Sequence, residues 1–317
     1  MEKKELKISS GAIQSQRKKQ LVFFCLLLAI PVVQFCIFYI GVNFNSIILA
    51  FKSYTIEDGY QFVGFENFIE VFEEIFNPAN PNYTIITNSL RNSLVMGFLS
   101  LFVGVVFSVV FSYYIFKNFF GSEIFKIFLF LPSMVSSVIL IIIFKKFIDA
   151  AIPELILQVF GVKVTGLLSS ADTQLGTIMS YVLFVGFGTQ VMMYSGAMSG
   201  ISPSIIEAGE LDGCTPITEF IFLVVPLIFG TIQTFIVVTV ATVFINQIGL
   251  FSFYGPDASM SNPELTSMGY YLYKQVYSGQ LTLMPKLAAF GICLTLVTIP
   301  VTYLVKFLLT KFGPSED

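Results

Sequence analysis

The sequence predicts an all-α polytopic membrane protein with six transmembrane helices, and three observations carry that expectation. Only 12% of the 317 residues are charged, 55% are hydrophobic, and the mean hydropathy is +0.82. A soluble domain carries about 25% charged residues, so this chain cannot clothe itself for water and needs the bilayer as a second solvent. Six stretches, roughly 21–42, 92–116, 126–148, 175–198, 218–246 and 285–308, are long and apolar enough to span. Backbone in lipid must satisfy its own hydrogen bonds, so each is read as a helix.

The first stretch follows Lys3, Lys4, Lys7, Arg17, Lys18 and Lys19, and no small-residue cleavage site ends it. It reads as a retained first span behind a cytoplasmic tail, residues 1–20. A six-helix domain over 21–312 and a short tail over 313–317 complete the expected organisation. Pro31, Gly104, Pro226 and Pro300 lie inside spans, where neighbouring helices satisfy the groups they free. With the amino terminus inside, ten Lys and Arg fall on the inner face and seven on the outer. The bias is concentrated before the first helix, which usually sets topology, so both termini are expected in the cytoplasm of a bacterial cell membrane. Residues 43–91, 149–174 and 247–284 form long outer connections, either solvated caps or a surface for an outer partner.

Composition also excludes function classes. There is no histidine, which removes the commonest general base and metal ligand. Cys25, Cys36, Cys214 and Cys293 have no CxxC spacing, so no metal or cofactor is expected. A net charge of -3 with no basic patch argues against nucleic acid.

The inner connection 199–220 stands apart, with Glu207, Glu210, Asp212 and Glu219 and no base. Ser202 or Ser204 beside Pro203 can cap a short helix. Ile205, Ile206, Ala208, Gly209 and Leu211 give that helix a small, partly apolar surface. Gly213 ends it, and Thr215 with Pro216 starts the next. The product is a helix–glycine–helix elbow with acids to meet a partner's Arg or Lys.

The same residues resemble the EAA motif of ABC importer permeases: Glu-Ala-Ala, three residues, Gly, nine residues, Ile, one residue, Leu-Pro. Glu207, Ala208, Gly213 and Pro226 match in spacing, with Asp212 before the Gly. Gly209 stands for the second Ala, Leu223 for Ile and Val225 for Leu. Further segments agree in order. Phe62-Val63-Gly64-Phe65-Glu66-Asn67-Phe68 looks like "FvGleNf" after the first helix, and Leu90-Arg91-Asn92-Ser93 like the "lrNT" that starts the second. Phe130-Leu131-Pro132 is similar to the start of the third helix, and Tyr254-Gly255-Pro256 to the "GGP" after the fifth. Together they resemble the permeases of carbohydrate importers of the larger maltose-type membrane subunit, over about residues 20–312.

The resemblance implies a type I ABC importer permease fold and a coupling role for Glu207, Ala208, Gly209, Asp212 and Gly213. It also implies a second permease subunit, different from this chain, two ATP-binding subunits and an outer solute-binding protein. No GxxxxGK[ST] pattern occurs, so ATP hydrolysis is expected in those separate subunits. Thr239, Thr242 and Asn246, at i, i+3 and i+7, share a helix face, and Gly186 and Thr189 lie three apart on the fourth span. Aligned through the motif, they fall where carbohydrate permeases line the solute cavity. The same residue types also serve helix–helix packing. An ion-coupled secondary transporter, the alternative, predicts charged residues in mid-helix and inverted repeats, and neither is seen.

Overall fold

The computed structural model describes residues 10–255 and 264–314; Lys3, Lys4, Lys7, Pro256 and the tail from 315 lie outside them. α1 (Arg17–Leu49) is a continuous helix with a wide π-type turn at Phe35–Gly41, shortly after Pro31. A hairpin of β1 (Lys52–Thr55) and β2 (Gly59–Phe62) follows, pairing Ser53 with Gln61 and Tyr54 with Tyr60. Gly64, at φ +66°, turns the chain into α2 (Glu66–Phe76). α3 (Tyr83–Phe116) is the second long helix. It starts nine residues before the expected boundary at 92.

The expected third span departs most from a simple helix. α4 (Ser122–Met134) and α5 (Ser137–Phe160) meet at 107°. Pro132 withdraws one backbone donor, and Ser133 Oγ donates to Phe130 O at 2.7 Å. Side chains that bond locally to the backbone compete with helix continuation. α6 (Ala171–Ser199) is unbroken. α4 lies so close to it that a Cβ on Gly188 would meet Leu129 O at 2.1 Å.

α7 (Pro203–Leu211) is the short elbow helix. The fifth span is again bent: α8 (Pro216–Leu227) and α9 (Phe229–Ala241) meet at 70°, two residues past Pro226. It ends at Ala241, not at 246 as expected. Asn246 Oδ1 accepts from Ile248 N at 2.8 Å, and Ile248 and Gly249 both have positive φ, at 53° and 66°. The backbone already leaves the helical region at Thr242, φ -101° and ψ 5°, and these reversals keep the chain from resuming a right-handed helix. α10 (Leu250–Tyr254), α11 (Met268–Tyr277) and α12 (Met284–Phe312) complete the described fold. Among the described residues, four helices are long and apolar enough to span, or six when each bent pair counts as one span.

Two polar clusters mark the ends of the bundle. Lys117, after α3, pairs with Glu210 and Glu219, so this turn and α7 share the elbow end. Lys286, in the first turn of α12, pairs with Glu74 of α2 at the far end. Between them run an elbow-end core around Tyr194, Met198, Val224 and Ile228, and a central one around Ile178, Ile248 and Leu250. A far-end core holds Val71, Ile86, Met268 and Phe290.

Candidate functional site

The elbow is built by local rules. Pro203 occupies the first turn of α7, where its missing N–H costs nothing. At the other end Gly213 N–H donates to Glu210 O at 3.1 Å and Cys214 N–H to Gly209 O at 3.0 Å. That paired closure is the Schellman motif and puts Gly213 in the left-handed region, at φ +82°. Thr215 then caps α8 by accepting from Thr218 N–H at 3.3 Å, with Pro216 next.

Glu207, Ala208, Asp212 and Gly213 are all exposed. Leu211 is 89% exposed and Ile217 is 70% exposed, flanking the glycine turn with apolar side chains. Ile217 is absent from the sequence reading because it lies in the second helix, which reads as a route back to the membrane. Gly209 is buried instead. A Cβ there would lie 2.5 Å from Leu223 Cδ1, so two departures from the EAA pattern are one packing adjustment: Gly209 makes room for Leu223.

The four acids divide into two pairs. Glu219 is 2% exposed, receiving Lys117 Nζ on Oε2 at 3.1 Å and Tyr113 OH on Oε1 at 3.2 Å. Tyr113 OH also approaches Pro216 O at 2.9 Å. Lys117 reaches the more exposed Glu210 at 2.9 Å. Burial pulls the Lys117 ammonium down, but its bonds to Glu210 and Glu219 outweigh that and leave it above the ordinary lysine value. Two of the four acids therefore hold the elbow to α3, and Glu207 and Asp212 are the ones left facing outward.

A cavity of about 310 Å³ lies between α3, α6 and α9. Gly186, Thr239, Thr242 and Asn246 line it. Asn246 does so from the turn after the helix, since α9 stops at Ala241. Thr189 is not in the lining; it is exposed, and Gln190 takes its place. Four residues from Gly186 return nearer to its face than three do. Ser93 and Ser100, from α3, also line the cavity and were missed because nothing near them in sequence points to α6. Gln190 Oε1 accepts from Ser108 Oγ at 3.1 Å, which fixes the amide. Thr239 and Thr242 Oγ donate to Phe235 O and Val238 O, both at 2.8 Å, leaving lone pairs to accept. Asn246, its Oδ1 engaged, has an amide donor to offer. The lining is thus uncharged, with donors and acceptors set on an apolar wall.

The remaining motifs are backbone anchors. Asn67 Nδ2 donates to Ala50 O at 2.8 Å and Lys52 O at 2.7 Å, closing the end of α1. Asn92 Nδ2 donates to Glu264 O and Thr266 O, both at 2.7 Å, and Ser93 Oγ accepts from Met268 N. Gly255, at φ +70°, accepts from Tyr270 OH at 2.8 Å.

No protein-family model matches the chain. It is 26% identical over 200 residues to the maltose/maltodextrin transport system permease protein MalF of Klebsiella aerogenes, over 62% of this chain and 38% of MalF. It is 25% identical over 256 residues to a probable ABC transporter permease protein, MG188, of Mycoplasma genitalium, over 77% of this chain and 74% of that protein. A crystal structure of a bacterial ABC transporter involved in the import of the acidic polysaccharide alginate superposes with TM-score 0.74. The identity there is 17%, and the alignment covers 95% of this chain and 99% of that one. The chain thus matches well under half the length of MalF; it is similar in sequence to the MalF permeases and has the fold of an ABC importer permease.

Proposed function

We propose that this chain is a transmembrane permease subunit of a binding-protein-dependent ABC importer for a saccharide. The observation that carries the reading is the elbow: a short exposed helix closed by Gly213, presenting Glu207, Asp212, Leu211 and Ile217, on a base fixed to α3 by Lys117 and Glu219. Such a projection suits transmission of movement from a soluble motor, because a push on α7 passes to α8 and into the bent fifth span. The partners are two ATP-binding subunits at the elbow, a second and different permease subunit, and a solute-binding protein at the far end. The elbow end, and with it both termini, is then cytoplasmic.

The solute class follows from the cavity. Its uncharged hydroxyls and amides suit a neutral, hydroxyl-rich ligand, and no intramembrane acid or base lines it to relay a proton. The relatives named for maltose and alginate support a saccharide without selecting one.

The chain, reconstituted with its permease and ATP-binding partners, takes up saccharide delivered by its binding protein when ATP is present, and an uncoupler leaves uptake intact. Uptake that persists without ATP and collapses with the uncoupler overturns the reading in favour of ion coupling. Within the cavity, Thr242→Ala with Asn246→Ala leaves assembly intact. Two lost solute hydrogen bonds at about 0.5–1.5 kcal/mol each weaken the apparent affinity by roughly fivefold to 150-fold. An unchanged affinity in proteoliposomes removes these two residues from the solute path.

A further inference from the structure

The far end carries a helix that turns a row of large apolar side chains outward. Beside Val71, which is fully buried, α2 buries two polar side chains, Asn67 and Glu74, at 8% and 4% exposure. It exposes apolar ones: Phe65, Ile69, Phe72 and Phe76 are 67, 58, 53 and 71% exposed. Scattered surface hydrophobes need no explanation, but a buried polar side chain or a contiguous apolar stripe does. These four residues, spaced i, i+4, i+7 and i+11, fall on one helix face, and Phe72 and Phe76 stack at 6.2 Å. Glu66, Glu70 and Glu73, also exposed, form a separate flank about a quarter-turn away.

The buried polar residues fix where this helix sits. Asn67 holds the carbonyls of Ala50 and Lys52 at the end of α1. Glu74 Oε1 receives Lys286 Nζ at 2.9 Å in the first turn of α12 and Asn82 Nδ2 at 2.7 Å just before α3. The two pins are seven residues, or about 10 Å, apart along the helix. A helix tied at both ends to the terminal turns of different spans lies across them, level with the membrane boundary. The apolar surface is also continuous with a lipid-facing one. The last turns of α1 expose Phe44 and Ile47, and Phe51 beyond them meets the rings of Phe65 and Phe68 at 5.3 and 5.2 Å.

We propose that α2 is an interfacial helix lying in the membrane–water boundary at the far end, with Phe65, Ile69, Phe72 and Phe76 set among lipid acyl chains and Glu66, Glu70 and Glu73 facing water. Helices recruited to a membrane from solution use cationic flanks. This one is held in place by its pins, so an acidic flank serves. The placement explains the pattern: on the protein side Val71 joins the far-end core while Asn67 and Glu74 cap the ends of spans, and the outer apolar row is left for lipid.

The chain contains no tryptophan, so one introduced indole is a unique reporter. Phe72→Trp, Phe76→Trp and Glu73→Trp are compared in the full chain, in phosphatidylcholine vesicles with and without brominated acyl chains, and with aqueous iodide. The expected result is blue-shifted emission at 72 and 76, quenched by brominated lipid and shielded from iodide, with the reverse at 73. Quenching of 72 and 76 by iodide and not by lipid overturns the proposal. So does shielding from both quenchers, which assigns the face to contact with another protein or a second copy of this chain.

Discussion

Two buried lysine–glutamate pairs hold the two ends of this molecule, and they are built differently. At the elbow end both oxygens of Glu219 are engaged, one by Lys117 and one by Tyr113. At the far end Glu74 Oε1 takes both Lys286 and Asn82, while its buried Oε2 has no hydrogen-bond partner among the described residues. A fully satisfied buried pair makes a stiff joint, whereas a half-satisfied one is costly and confers less rigidity. Under the proposed function the elbow joins the part that would transmit force, and the far-end pair joins a cap. The difference teaches that burial of an ion pair does not by itself make a stiff joint; a partner on each carboxylate oxygen does more.

The largest expected effect breaks that comparison at its stiffer end. Lys117→Met strands the Glu219 carboxylate in a site only 2% exposed, and removing one partner of a buried pair costs about 3–5 kcal/mol. A thermal unfolding scan in detergent registers that loss, and ATP-driven uptake falls with it. Adding Glu219→Gln returns much of the stability, because no charge is then left alone. Lys286→Met lowers stability as well, but should leave ATPase coupling intact because Glu74 serves only the far cap. Equal loss of coupling from both variants would remove the distinction. The sign with pH is fixed by the raised Lys117 value. The stabilisation is whole below the ordinary lysine pKa and is lost only as pH rises through the higher, folded-state one. Mildly alkaline buffers up to the ordinary lysine range therefore leave the elbow joint intact.

A middle-sized effect is expected at the far end, from a residue with no charge. Asn92→Ala leaves the carbonyls of Glu264 and Thr266 without their donor. A buried group left unpaired costs about 1–3 kcal/mol. Asn92→Asp keeps the shape but removes the donors, so it should be no better than Ala. Hydrogen exchange of the amides at 264–268, faster in both variants while the elbow amides stay unchanged, would localise the effect to the far end.

These anchors also show what the sequence could carry. The elbow is legible because its parts are adjacent: Pro203, Gly213, Thr215 and Pro216 act within a few residues of one another, and the structure places the turn where that pattern predicts it. The six apolar stretches are legible for the same reason. What fails is contact across distance. Glu219 and Lys117 are 102 residues apart, so Glu219 reads in sequence as one more acid for a partner and Lys117 as one more topogenic charge. Asn67 and Asn92 read as parts of motifs, with no sign that each closes a backbone far along the chain. Thr189 and Gln190 differ by one residue, and which of them meets the cavity depends on how α6 packs against α3. The bends at Ser136 and Ile228 were hinted at by Pro132 and Pro226. A proline shows that one hydrogen bond is missing but not how sharply the helix turns there.

The smallest expected effect sharpens the picture of the elbow itself. Gly209 and Leu223 depart together from the motif pattern, and the Cβ that an alanine would add lies 2.5 Å from Leu223 Cδ1. Two terms oppose. Alanine in place of a helical glycine favours the helix by up to about 1 kcal/mol, and forcing an extra carbon into a packed contact costs about 1–3 kcal/mol. The clash is with the end of a side chain that can rotate, so its cost falls at the lower end, and Gly209→Ala alone is nearly neutral or slightly destabilising. Leu223→Val removes the colliding methyl, so the double variant recovers the helix term without the clash. A double-mutant cycle on thermal stability should then give a coupling of about 0.5–1 kcal/mol, favouring the pair. Strict additivity would show that the two departures are independent. Coupling of the expected sign would show that α7 is packed onto α8 as a single body, the condition for Gly213 to act as a rigid bend between them.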